Sequence, residues 1–163
     1  MTEVLIVRSA PIQQLDANLS EIRAKFDSPT ISILSHEHSI ELLEKYCDVQ
    51  ECIPYPFEGS FDYRRKAFFG NEKKFDHAII MVGNLTGVGF QNVLFFALSL
   101  PSRKIWTCNL VGELIQVSRP RIILKSLRNQ FFKIAALVLS LMIGIVTLPI
   151  LFLFLIQRSK PNV

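Results

Sequence analysis

The chain is 163 residues long, half of them apolar, with a formal net charge of +4, which suffices for one ordinary core and excludes a disordered chain. Its three cysteines, Cys47, Cys52 and Cys108, form no CxxC, which argues against a disulfide framework or a paired-cysteine zinc site. All 14 acidic residues fall at or before Glu113 with 11 of the 18 basic ones, leaving that part near −3, so no nucleic-acid partner is expected.

Residues 4–7, Val-Leu-Ile-Val, are a continuous apolar run that suits a strand buried on both faces. They are too short for the apolar core of a signal peptide, and Glu3 precedes them, so none is expected. Leu15, Leu19, Ile22 and Phe26 recur at i, i+4, i+7 and i+11, one stripe of a helix broken by Ser28-Pro29. Residues 31–34 give a second strand, and Ile40, Leu43 and Cys47 share one face of a following helix. Cys52-Ile53 opens a weak third strand, stopped by Pro54 and Pro56. Residues 61–74 read as a helix with a solvated basic face, interrupted near Gly70. Residues 78–82 form a strong fourth strand, 83–89 a glycine-rich turn, 90–100 an apolar helix ended by Pro101, and 104–108 a fifth strand. Strands alternating with helices predict an α/β fold: a Rossmann-like parallel sheet of about five strands, ordered 3-2-1-4-5, with helices on both faces. That domain is expected to span residues 1–112.

Beyond Glu113 the chain holds seven basic residues and no acidic one. Residues 113–133 read as a basic amphipathic juxtamembrane helix. Arg121, Lys125 and Arg128 share one face, Ile123, Leu124, Leu127 and Phe131 another, and Lys133 closes the segment. Such a helix either lies in the headgroup layer against anionic lipid or packs on the domain with its charges in water. Residues 134–156 are 23 in a row without a charge, a helix of about 34 Å, enough to span a hydrocarbon core of about 30 Å. The Lys/Arg excess before this run predicts a single-pass inner-membrane protein with its N-terminal domain in the cytoplasm, residues 157–163 forming a short tail. Pro149, with Gly144 and Thr147 nearby, is expected to kink the span. Ala136, Ser140 and Gly144, at i, i+4 and i+8, form either a helix-packing face or lipid-facing filler.

In a sheet of this order ligands bind beyond the carboxyl ends of the strands, where the order reverses between the first and fourth. Residues 8–14 and 83–89 line that point, which nominates Arg8, Ser9 and Gln13 as ligand-binding groups. Gly83, Asn84, Thr86, Gly87 and Gly89 form either a plain βα turn or a loop contacting sugar or phosphate. The loop is neither a Walker sequence nor the dinucleotide fingerprint. Asp16 is the nearest carboxylate. It either favours its helix start through the dipole or serves as a general base. His36 and His38, two apart, diverge on a helix, and His77 supplies no third ligand, so no metal and no cofactor are expected.

Several segments resemble the N-terminal half of the heptosyltransferase-type glycosyltransferases of family 9, which have the GT-B fold. They are the opening strand Val4-Leu5-Ile6-Val7-Arg8, the helix ending near Phe26, strand 31–34, residues 49–53 in place of the family's third strand, and Phe75-Asp76-His77-Ala78-Ile79-Ile80 in place of its fourth. The resemblance implies an acceptor-binding half-domain. It also implies a catalytic Asp in a Gly-Asp pair just after the first strand, where this chain has Gln13-Gln14, leaving Asp16 to reach back from the helix. The family's second, donor-binding domain is expected to be replaced by the anchor, so the polypeptide alone is not expected to transfer sugar. Three functions follow as expectations. The first is a membrane-anchored, glycosyltransferase-like half-domain at the cytoplasmic leaflet, working in glycan assembly with a separate donor-binding subunit on a lipid-linked glycan acceptor. The second is a non-catalytic membrane adaptor that keeps the fold. The third is a nucleotide- or small-molecule-binding module.

Overall fold

The computed structural model describes residues 2–44, 49–65, 69 and 73–158, the side chains of 129, 146 and 149–158 excepted. The chain forms two compact units, residues 1–123 and 124–163.

The first unit is a mixed six-stranded sheet in the order β3-β2-β1-β4-β5-β6. Strands β1 (Glu3–Val7), β2 (Thr30–His36), β3 (Glu51–Tyr55), β4 (Phe75–Met81) and β5 (Ser102–Cys108) run parallel. Their order is the expected 3-2-1-4-5. The difference is β6 (Leu114–Val117), which returns antiparallel along β5. This segment was expected to open the juxtamembrane helix; instead, a tight turn at 109–112 folds it back onto the edge of β5 before the helix begins. β3 also departs from expectation by running through Pro54. It pairs with β2 alone, and an edge strand tolerates a residue without an N–H.

The central strands β1 and β4 carry continuous apolar runs, residues 4–7 and 78–81, because both faces are covered there. Val4 and Ile6 of β1 pack with Leu15, Leu19 and Ile22 of α1 (Ile12–Lys25) on one face. Leu5 and Val7 pack with Val93, Leu94, Phe96 and Ala97 of α3 (Gln91–Ala97) on the other. The α1 stripe is the one its spacing predicts, ending in Phe26 at the C-cap. There Asp27 turns left-handed (φ 54°), and the Ser28 N–H donates to the Arg23 carbonyl at 3.1 Å, a Schellman closure that sets the entry to β2. The second helix, α2 (Ile40–Leu43), is a single turn behind a 3₁₀ turn (Glu37–Ser39); Leu43 is buried, and Cys47 lies outside the described residues.

The expected helix at 61–74 is not formed by its described residues. Residues 61–65 hold no helix, because Phe61 is drawn out of any helical register into the core against Tyr55 and Phe96, with ring centroids at 4.6 and 5.4 Å. Gly70 lies outside the described residues.

The last helix, α4 (Arg119–Arg158), is continuous through position 149. Its first turn belongs to the first unit: Ile122 is buried in the α3-side core, and Arg119 donates to the carbonyls of Leu98 and Ser102 at 3.1 and 2.8 Å. The α4 portion Arg119–Ile145 is long and apolar enough to cross a membrane by length and composition, and beyond that first turn its described side chains are exposed or half-buried. Arg121, Arg128 and Lys133 are exposed, Lys125 is half-buried, and Leu124, Leu127 and Phe131 are all exposed.

Candidate functional site

The carboxyl edge of the sheet is closed between β1 and β4 by polar side chains. The Ser9 hydroxyl donates to the Met81 carbonyl, and Gln14 Nε2 donates to the Val82 carbonyl at 3.0 Å. Arg8, one residue beyond β1, turns its half-buried guanidinium across the ends of β1 and β2. Nε donates to Ser35 Oγ at 2.7 Å, Nη1 to the Ala10 carbonyl at 3.2 Å, and Nη2 to Ser39 Oγ. All three partners are neutral. The ion pairs among the described residues, Lys73–Glu51 and Arg103–Asp76, lie elsewhere, so Arg8 keeps an uncompensated positive charge. Burial pulls its pKa down, because holding that charge away from water disfavours it. The residue stays cationic all the same.

Arg8 opens into a cleft of about 470 Å³. Ser9, Ala10, Pro11 and Gly89 line it, as the strand-order rule predicts. His36, Ser60, Phe61, Phe90, Asn92 and Val93 complete it, and the sequence reading singled out none of these as a ligand group. His36 could have been found by the same rule, since it ends β2, the neighbour of β1. Ser60 and Phe61 arrive only through the packing of the Phe61 ring on His36 at 4.8 Å. A second cleft of about 640 Å³ lies on the other side of His36, lined by Glu37, His38, Tyr55 and residues 56–59.

His36 and His38 do not diverge as a helical spacing would have them. His36 closes β2 while His38 sits in the 3₁₀ turn, and their rings stack at 5.9 Å, 8° from parallel. Burial, then the neighbouring His38 and Arg8, lower the His36 pKa below its usual 6.5. His36 is therefore a neutral imidazole at neutral pH. Among the described residues no three His, Cys, Asp or Glu side chains converge to hold a metal.

The other nominated residues lie outside the cleft lining. Gln13 and Asp16 are exposed on α1. Asn84 secures its own loop, accepting from the Gly87 N–H at 2.6 Å and donating to the Val88 carbonyl at 2.7 Å. Gly87 (φ 68°) and Gly89 (φ 89°) supply the left-handed backbone this needs. Gly83 and Thr86 are exposed in the same loop. The two described cysteines are poor nucleophiles: burial raises the Cys108 thiol to about 11 and pushes Cys52 up as well. The cleft thus offers one cation, two hydroxyls, one amide, a neutral imidazole and an apolar wall, with no carboxylate among its lining residues. It is equipped to bind an anion.

No protein-family model matches the chain, and neither does any curated protein or solved structure. The resemblance to the heptosyltransferase-type family rests on the motifs quoted above alone.

Proposed function

We propose that the chain is a membrane-anchored α/β module that holds a small anionic group in the Arg8 cleft. In the reading its motifs favour, it works as the acceptor-side half of a glycosyltransferase-like pair at the cytoplasmic leaflet, in glycan or lipid-linked saccharide assembly, with a separate donor-binding subunit. The observation that carries the binding role is the half-buried guanidinium of Arg8, held by Ser35, Ser39 and the Ala10 carbonyl without a carboxylate. The anchor is α4, whose Ile134, Leu137, Leu139, Leu141, Ile145 and Leu148 are each between 59% and 72% exposed, a surface that hydrocarbon suits and water does not.

One observation favours the adaptor reading over a catalytic one. Asp16 lies on the exposed side of α1 and no carboxylate lines the cleft, so nothing there takes a proton from a hydroxyl except His36. The module is therefore a binder first.

The test is calorimetric titration of the full chain in lipid nanodiscs with inorganic phosphate and a hexose phosphate. Saturable binding is expected. Arg8→Gln should weaken it about 10- to 100-fold, the usual cost of a hydrogen bond to a charged partner, and Arg8→Lys by less. Binding that survives Arg8→Gln unchanged, in a variant with the circular dichroism of the parent, would remove the cleft from the account.

A further inference from the structure

The two ends of the sheet differ in chemistry. Both ion pairs among the described residues lie at the amino edge, joining the strand starts Glu51, Asp76 and Arg103 with Lys73. At the carboxyl edge, the loops after β4 and β5, residues 83–90 and 109–112, hold no charged residue at all. Instead they present Leu85, Val88, Leu110 and Val111, each between 53% and 69% exposed. Neither loop is slack. Asn84 ties the first to itself. Asn109 ties the second, its Oδ1 accepting from the N–H groups of Val111 and Glu113 at 3.1 and 2.9 Å, and its Nδ2 reaches the Leu85 carbonyl at 3.5 Å. Four aliphatic side chains are thus held outward on two joined turns beside the Arg8 cleft, whose wall includes Gly89 and Phe90.

From this arrangement we infer that the carboxyl edge is a lipid-contacting face, and that Leu85, Val88, Leu110 and Val111 insert into the acyl boundary of the bilayer. The inference rests on the membrane-anchored reading of α4. Tethering supplies the reason for a lipid occupant: a domain held at a membrane meets it at high effective concentration, so a contact too weak to recruit a free protein is populated. The turns themselves carry no charge, with Glu113 and Glu21 flanking the second one, and each full burial of an aliphatic tip is worth about tenfold or more in partitioning. Docking in this way brings the Arg8 cleft to the level of the lipid headgroups.

Tryptophan quenching by brominated lipid tests this in the full chain, reconstituted in phosphatidylcholine vesicles. Trp106 is first replaced by Phe, since it is the sole tryptophan. Leu110→Trp then reports on the loop tips, Arg103→Trp on the amino edge and Leu141→Trp on the helix. Strong quenching at Leu110→Trp and Leu141→Trp, weak quenching at Arg103→Trp, and loss of the loop signal on adding Val88→Ser and Val111→Ser are expected. Quenching at Leu110→Trp no stronger than at Arg103→Trp, with Leu141→Trp quenched, would overturn the inference and leave the apolar tips to a protein partner. An unquenched Leu141→Trp would refute the anchored reading itself, and the inference with it.

Discussion

Single side chains hold this domain's connections together, and Asn109 does the most. Only 4% exposed, it satisfies two backbone N–H groups of the β5–β6 turn and donates to Glu113 Oε2 at 3.0 Å, while its own carbonyl accepts from Asn18 Nδ2 at 3.0 Å. Gly112 (φ 82°) completes the turn, and a Cβ there would also meet Asn18 Oδ1 at 3.1 Å. Asn109→Ala leaves two donors unmet and is expected to cost about 2 kcal/mol, read as a shifted denaturation midpoint. An unchanged midpoint would show that water replaces the amide at no cost. His77 makes a second prediction at this scale. Its Nδ1 accepts from the Trp106 indole N–H at 3.1 Å, which requires the neutral ring. Burial, with Lys104 next, lowers its pKa below 6.5 against the opposing pull of Asp76. A lowered pKa contributes stability that is fully present above pH 6.5 and is lost as pH falls through the folded value. Thermal unfolding followed between about pH 7.5 and about pH 5.5 should show that loss. His77→Gln should make it shallower, and His36, shifted the same way, supplies the remainder. An equally steep loss in the variant would contradict the assignment.

Among the elements, those with a strong local pattern were legible and those made by distant contacts were not. The run 4–7 and the stripe Leu15, Leu19, Ile22 carry their burial in their spacing, and both form as read. β6 was hidden because Leu114, Ile115, Gln116 and Val117 are only four residues leading directly into a basic helix, and nothing local marks them as the partner of β5. The charges of the stretch from Phe61 suggest a solvated helix, whereas the rings of Phe61 and Tyr55 decide its path. The candidate site divides the same way. Arg8, Ser9 and Gly89 follow from strand order. His36, at the end of β2, follows from the same rule, and Ser60 and Phe61 depend on an aromatic contact that spans 25 residues of sequence.

At the scale of the whole molecule, the charge is uneven along the chain, near −3 up to Glu113 and +7 after it. The return of β6 starts α4 at the amino edge of the sheet, beside Leu98 and Ser102, while the cleft lies at the carboxyl edge. The central claim is that an anion sits against Arg8 beside His36. Its most direct measure is the imidazole NMR titration of the full chain in nanodiscs, with and without inorganic phosphate. An anion in the cleft offsets the charge of Arg8 and favours the imidazolium, so the pKa of His36 should rise on adding phosphate while that of His77 stays put. In Arg8→Gln the phosphate-dependent rise should disappear. A His36 pKa indifferent to phosphate, or one that moves equally with and without Arg8, would contradict the account.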